Sequence, residues 1–523
     1  PPPLPIVHPS DCPYAVPLPP SPGLAGAGVL NILFITADQW RGDCLSAVGH
    51  PAVRTPNLDR LAADGVLFTR HFSNMTPCGP SRACLHTGMY GFNHRSIRNG
   101  TPLDRRHTTL AMELRKSGWD PVLFGYTDTS ADPRDLPATD PRLLTYEGVA
   151  PGYRPVCLML ENALPWLAHL RERGYGERCL DELYGGPLGA PAPFRAEDSE
   201  TAFLTDQAIA FLERRSPHPF FLHLSYIKPH PPFVAAAPWH DSVDPERLPP
   251  PVRRADPAAE GLLHPWLAAH LRRPLGDWFR PHLGGTEALA GPALQRLRQV
   301  YLGLIEEVDH HVGRLLEHLA RTGLLERTLV VFTADHGEMA GDHWMIGKSG
   351  FFPQAFHVPM VARHPVGARG QRVAAFTEHV DLMPTLLQAA GVPVPLQCDG
   401  HGLEGFILGQ EPRRWRDAVH YEHDVGDLET GWHRDALGLD DHACGLAVHL
   451  DGRHALVAFA GMPDLLFDLQ SDPHWLADRA GDPALAPVRA RLASGMLSWR
   501  MCYADRRLSS ALLTPAGPVG RFE

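Results

Sequence analysis

The sequence predicts an α/β fold: a mostly parallel central sheet sandwiched by helices, followed by a smaller C-terminal antiparallel α+β subdomain. Three observations predict it. Short continuous apolar runs such as "NILFITAD" at 31–38 alternate with segments of helical periodicity, the pattern of doubly buried parallel strands and their crossover helices. Two of those runs carry nearly the same phrase, "FITADQ" at 34–39 and "VFTADHG" at 331–337, and each puts an aspartate just past the carboxyl end of a strand. After about residue 395 the texture changes to short strands divided by turns, "RDAVHYEHD", "GLAVHLDGRHALVAFA" and "DLLFDLQSD", closed by a helix near 483–507.

In chain order, residues 1–28 are rich in proline and lack both a basic n-region and an apolar h-region, so they read as an extended arm and not as a signal peptide. Residues 29–395 form the α/β domain and 396–523 the smaller subdomain with its terminal helix and tail. After the first strand comes "TPNLDRLAADGVLF", where Thr55 can cap a helix, Pro56 opens it and Gly65 ends it. "WDPVLFGYTDTS" and "HPFFLHLSYIKPHPPF" each give a strand, the second stopped by prolines. Residues 234–292, dense in proline and without clear period, read as an insertion. A long helix over 293–323, closed by Gly323, leads into "TLVVFTADHGE".

Composition narrows the function. With 44% hydrophobic and 20% charged residues in 523, the chain is long enough for a large core and is not disordered throughout. A net charge of -11 supplies no basic field to gather nucleic acid or an anionic membrane. No apolar run approaches the roughly 18 residues a spanning helix needs. Nine scattered cysteines, an odd number without paired metal spacing, fit a reducing cytoplasm better than a disulfide scaffold.

Chemistry-bearing residues collect at the predicted strand ends. Parallel strands place their carboxyl ends on one edge, where open α/β sheets bind ligands, so Asp38, Asp335 and His336 are candidates for one divalent-cation site. From these residues alone, two loop caps and a surface histidine remain an equal alternative. The stretch "TPCGPSRACLHTG" at 76–88 adds a cysteine before a helix: Pro80 fits its first turn, Gly88 its end, and Cys78 falls at or just before its cap. Backbone N–H groups there favour negative charge, both an ionised Cys78 and an anionic substrate, with Arg82 one turn further in. A buried structural cysteine is the other reading, and Cys84 in the same helix illustrates it.

Cys78-Gly79-Pro80-Ser81-Arg82 followed by "ACLHTG" resembles the signature of the sulfatase family, within the alkaline phosphatase superfamily. "NILFITADQ", "TPNLDRLAADGVLF", "FTADHGE", "GDH" with "GK", and "FDLQSDPHWLAD" support it in order, across roughly 29–480. The resemblance implies an alkaline phosphatase-like fold and conversion of Cys78 to formylglycine by a formylglycine-generating enzyme. Two departures matter: Gln39 stands where calcium sulfatases usually have an aspartate, and His336 where they usually have an asparagine. Losing a carboxylate and gaining an imidazole shifts the site from a calcium-like cage toward a transition metal, manganese first, with iron, zinc and calcium left open. Together with "NHRSIRNGTPLD", "FGYTDTSADPR", "YIKPHPPF" and "LSWRMCYADR", these changes make the chain similar to the phosphonate monoester hydrolase branch.

Carried over position by position, the resemblance implies a metal held by Asp38, Cys78, Asp335 and His336, and a hydrated formylglycine as nucleophile. Arg82 would steady the diol, and His230 and Lys348 would meet charge on the leaving oxygen; without the resemblance these last two read as a turn residue and a solvated lysine. Gln39, Asn99, Tyr126 and Thr127 would bind the substrate, and Asp128 stands where the branch leads one to expect a threonine. The implied activity is promiscuous hydrolysis of singly charged phosphonate monoesters and phosphodiesters, with aryl sulfates also turned over. An arylsulfatase on the same machinery, or a non-catalytic metal-binding protein with unconverted Cys78, are the alternatives. Relatives in the branch assemble as dimers or tetramers, with the arm and the tail from 505 onward as the segments to exchange.

Overall fold

A computed structural model describes residues 30–520 apart from 216, 276–288 and 506. The proline-rich arm and part of the expected insertion therefore lie outside the described residues. The main sheet has nine strands: β1 (Asn31–Asp38), β2 (Val66–Phe72), β3 (Pro121–Gly125), β4 (Arg154–Leu158), β5 (Phe221–Pro229), β6 (Thr328–Ala334), β7 (His357–Arg363), β8 (Gln371–Val373) and β9 (Thr377–Glu378). Their order is β4-β3-β5-β1-β6-β7-β2-β8, with β9 beside β2. All neighbours pair in parallel except across β7, which runs against both β6 and β2. Every residue of β1 and of β6 is buried, which is why both read as unbroken apolar runs.

Helices cover the sheet. α1 (Pro56–Ala63) and α2 (Cys78–Thr87) follow β1 and β2, and the long α3 (Gly291–Arg321) precedes β6. Thr55 does precede α1, but its hydroxyl takes the Ser46 N–H at 3.0 Å, so it does not cap the helix. Asp309, from α3, instead accepts the N–H groups of Asn57 (3.1 Å) and Leu58 (2.8 Å). α2 opens one residue earlier than the sequence suggests: Pro77 is the cap and Cys78 the first helical residue, while Gly88 closes the helix at φ +68°. The described part of the proline-dense segment is a packed region of short turns and helices, with Trp266 and Leu267 buried.

The C-terminal part forms a four-stranded antiparallel sheet, β10 (Val419–Asp424), β11 (Gly445–Leu450), β12 (His454–Phe459) and β13 (Leu465–Asp468), backed by α4 (Ala486–Cys502). It shares a core with the main sheet, since Val419, Tyr421 and Val448 belong to one buried cluster with Leu33 and Ile35. Its edge also braces the approach to α2: the Glu422 N–H donates to Asn74 O at 2.8 Å, and Thr76 Oγ1 pairs with His423 Nδ1 at 3.0 Å. The tail folds into a hairpin, Ala511–Thr514 with Gly517–Gly520. No helix among the described residues is long and apolar enough to cross a membrane.

Candidate active site

β1 and β6 lie in register with Ala37 beside Ala334, so their ends deliver Asp38 and Asp335 to one spot. On the other flank the β1–β5 register slips between Ala37 and Asp38, and the strands part where the site opens. α2 enters from above this edge. Its Ser81 hydroxyl donates to the Asp335 carbonyl at 2.5 Å, which fixes the first turn against the end of β6.

Among the described residues, Asp38, Cys78, Asp335 and His336 form one group able to hold a metal, with ligand atoms all within 4.8 Å of one another. The donor set suits a divalent cation. His336 Nδ1 donates to Gly337 O at 3.0 Å, which leaves Nε2 as a lone-pair donor 3.6 Å from each aspartate. The two carboxylates crowd one point and their acidities diverge: burial and the Asp38 charge push Asp335 up, whereas Lys348 and its cationic neighbours overcome burial and hold Asp38 down. A cation there would relieve that crowding. Cys78 Sγ stands 3.3 Å from His336 Nε2, 3.9 Å from Asp38 Oδ1 and 2.9 Å from Lys348 Nζ.

Burial and the adjacent Asp38 carboxylate push the Cys78 thiol well above its ordinary value, with Lys348 opposing. The pull of the helix N-terminus toward an ionised Cys78 is opposed here by desolvation and by the neighbouring carboxylate. Arg82 is 1% exposed and its fork turns to the carboxylates, with Nε on Asp335 (2.9 Å), Nη2 on Asp38 (3.1 Å) and Nη1 on Ser225 Oγ (2.8 Å) and Tyr126 O (3.0 Å). Gly125, at φ +101°, permits the chain to turn here, since a Cβ would sit 2.0 Å from Ser225 O. Tyr126 follows it and donates its hydroxyl to Asp38 Oδ2.

Gln39, also left-handed at φ +68°, donates its N–H to Asp335 Oδ1 (3.0 Å), accepts from Lys348 Nζ through Oε1 (2.9 Å) and donates Nε2 to Glu338. Asn99 Oδ1 accepts the Gly79 N–H at 2.9 Å, at the first turn of α2. Thr127 spends its hydroxyl on the loop beyond, donating to Gly148 O and accepting from the Ala150 N–H. Asp128 is buried at φ +44° with Oδ1 lacking a partner among the described residues; burial, then Asp38, Glu147 and Asp335 against Arg82, push its carboxyl to about 8. His230 donates Nδ1–H to Pro231 O at 2.7 Å, and burial and Lys348 push it down to about 3.

Two residues of the site carry no role in the sequence reading. Glu338 is fully buried and holds the Gln39 amide and the N–H groups of Ala340 (2.8 Å) and Gly347 (2.7 Å). It ends the phrase "TADHGE", two residues past His336, so its proximity was written in the motif. Ser225, in the middle of a strand, gave no signal at all.

Comparison with known proteins agrees with this geometry. The sulfatase family model matches residues 30–392, and the model of the N-sulphoglucosamine sulphohydrolase C-terminal region matches 341–501. The chain is 38% identical over 514 residues to the multifunctional alkaline phosphatase superfamily protein PehA of Trinickia caryophylli, covering 94% of this chain and 99% of that one. Among solved structures, the phosphonate monoester hydrolase of Agrobacterium radiobacter superposes with a TM-score of 0.91 at 44% identity, over 94% of this chain and all of that one. The phosphonate monoester hydrolase SpPMH from Silicibacter pomeroyi does so with 0.89 at 42%, over 94% and 99%.

Proposed function

The chain belongs to the sulfatase family, and on that footing we propose that it is a metal-dependent hydrolase of phosphonate monoesters and phosphodiesters that also turns over aryl sulfates. The observation that carries the reading is the convergence of Cys78 with Asp38, Asp335 and His336, with Lys348 Nζ 2.9 Å from its sulfur. Residue 78 acts as formylglycine, made by a formylglycine-generating enzyme, and its hydrated aldehyde is the nucleophile. One hydroxyl attacks phosphorus or sulfur and the alcohol leaves. The second hydroxyl then loses its proton, the ester C–O bond breaks, the aldehyde re-forms and the oxyanion departs.

Asp38, Asp335 and His336 would hold one divalent ion, manganese first and iron, zinc or calcium otherwise, which would supply electrostatic stabilisation of the transferring group. Lys348 faces the nucleophile and offsets charge on the leaving oxygen. His230, with Nδ1–H committed to Pro231 O, presents Nε2 as an acceptor, the arrangement needed to take the proton of the second hydroxyl. Arg82 fixes both ligand carboxylates, and Asn99 fixes the first turn of α2. Gln39, Tyr126, Thr127 and Asp128 shape the substrate side.

Sulfate monoesters, phosphonate monoesters and phosphodiesters share a single negative charge, which one cation and Lys348 can serve together. Matched nitrophenyl esters test this: comparable turnover of the phosphonate monoester and the phosphodiester, with slower sulfate, is expected. A hundredfold preference for sulfate would make the chain an arylsulfatase. Peptide mass spectrometry across 71–82 checks conversion of Cys78 in protein from its own host, and an unmodified thiol in a fully folded, inactive protein would sink the catalytic reading. The nine cysteines, scattered and odd in number, are in keeping with a cytoplasmic location. The hairpin at 511–520, with Leu512 and Leu513 exposed, suits exchange within a homo-dimer or homo-tetramer, and gel filtration after its removal tests that.

A further inference from the structure

Tyr126 and His230 belong to the centre described above and also line a cavity of about 410 Å³ beside it. Its charge is one-sided. Glu147, Glu161 and Asp181 line it, and its one lysine is already answered: Lys228 Nζ stands 3.7 Å from Glu200 and donates to the carbonyls of His230 and Pro232, each at 3.3 Å. Glu200 Oε2 is the atom that Lys228 approaches, and the Tyr184 hydroxyl lies against the same carboxylate, so these three buried groups answer one another at the inner wall. Among the described residues Glu147, Glu161 and Asp181 form no ion pair, so the wall keeps negative charge that the protein does not offset. A second cavity of about 350 Å³ meets the first at His230 and is lined by Lys348 with no carboxylate, its Arg273 being already paired with Asp427 at 2.9 Å. An anion is drawn to that side and repelled from the acidic one.

We propose that the acidic cavity takes the alcohol portion of the ester and selects alcohols that carry an ammonium group. The inference rests on the ester-hydrolase reading and names the substrate class of that same site. An ester held with its single negative charge at Lys348 would extend its alcohol past His230 and Tyr126, between apolar surface from Met159 and Ile227, toward the three carboxylates. A quaternary ammonium keeps its charge while shedding little hydration, so carboxylates and aromatic faces suffice to hold it.

The test uses two esters of one shape, choline phenylphosphonate and 3,3-dimethylbutyl phenylphosphonate, as competitors of p-nitrophenyl phenylphosphonate turnover by the metal-loaded enzyme. Inhibition constants remove the difference between the two alcohols as leaving groups. A value about tenfold or more lower for the choline ester is expected, and in the Glu161→Gln/Asp181→Asn double variant the gap should shrink to about threefold or less. Both substitutions are at exposed positions, so folding is retained and checked by thermal melting. Equal constants in the parent enzyme, or a gap that survives the double variant, overturn the proposal. If p-nitrophenyl phenylphosphonate is not turned over, the hydrolase reading has failed by itself, and calorimetric binding of the same two esters still decides the cavity.

Discussion

β1 and β6 run side by side and each carries Thr-Ala-Asp at the same crevice, in β6 with the aspartate just past the strand, yet the two aspartates are held by different means. Asp335 Oδ1 accepts two main-chain N–H groups, from Gln39 at 3.0 Å and His336 at 2.9 Å, and Oδ2 accepts Arg82 Nε. Asp38 Oδ2 is held by side chains alone, Arg82 Nη2 and the Tyr126 hydroxyl. The residues that follow diverge as well. His336 points Nε2 into the ligand group, whereas Gln39 ties its amide to Lys348 and Glu338. A repeated phrase thus builds one centre from a strand end fixed by backbone and a strand end fixed by replaceable side chains.

The largest effect should separate the two following residues. His336→Ala removes a proposed metal donor and is expected to lower kcat/KM by about a thousandfold or more, with loss of bound metal by elemental analysis. Gln39→Ala should cost about ten- to a hundredfold with metal content kept, because its side chain touches Lys348 and Glu338 while its contact with Asp335 is through the main-chain N–H, which alanine retains. Equal metal loss in both would erase the distinction. Next in size is Tyr126→Phe, which frees Asp38 Oδ2 from one of its two anchors; metal affinity should fall about ten- to a hundredfold on titration. Asp335 offers no comparable lever, since two of its three anchors are main chain.

The strand ends, α2 and the antiparallel C-terminal sheet were legible because each rests on a local rule: unbroken apolar runs, proline and glycine punctuation, alternation. Asp38, Asp335 and His336 were legible as candidates from the strand ends, Cys78 from the helix start and Lys348 only through resemblance, and the five do converge. Other features could not be read. Asp309 capping α1 from a helix 252 residues away, and Ser225 holding Arg82, are contacts that only the packed sheet creates. For Cys78, an argument from the helix start counts the dipole but cannot count burial or the carboxylate beside it, both of which favour the thiol. The acidic wall assembles from two loop residues, Glu147 and Glu161, and Asp181 in the first turn of the short helix Leu180–Tyr184, without period or motif.

Glu338→Gln should give a smaller loss than Gln39→Ala, about three- to tenfold in kcat/KM, since the amide keeps one acceptor for the Ala340 and Gly347 N–H groups. Metal content should not change. A loss as large as that of His336→Ala would mean that the Gln39 side of the site is as rigidly tied to the cation as the β6 side.

The smallest effect probes a third carboxylate with no counterpart beside β6. Asp128 follows Tyr126, and burial, with Asp38, Glu147 and Asp335, pushes it up to about 8. An acid whose folded value lies above its unfolded value of about 4 binds more protons when folded, so it costs nothing below pH 4. The cost grows as pH rises from about 4 to about 8 and is complete above that. Asp128→Asn removes it and should raise stability by about 1–3 kcal/mol at pH 9, with little change at pH 4, read as Tm against pH. If the parent and variant melting curves stay parallel across that range, Asp128 is ionised in the native state, and a neighbouring cation, not burial, sets its charge.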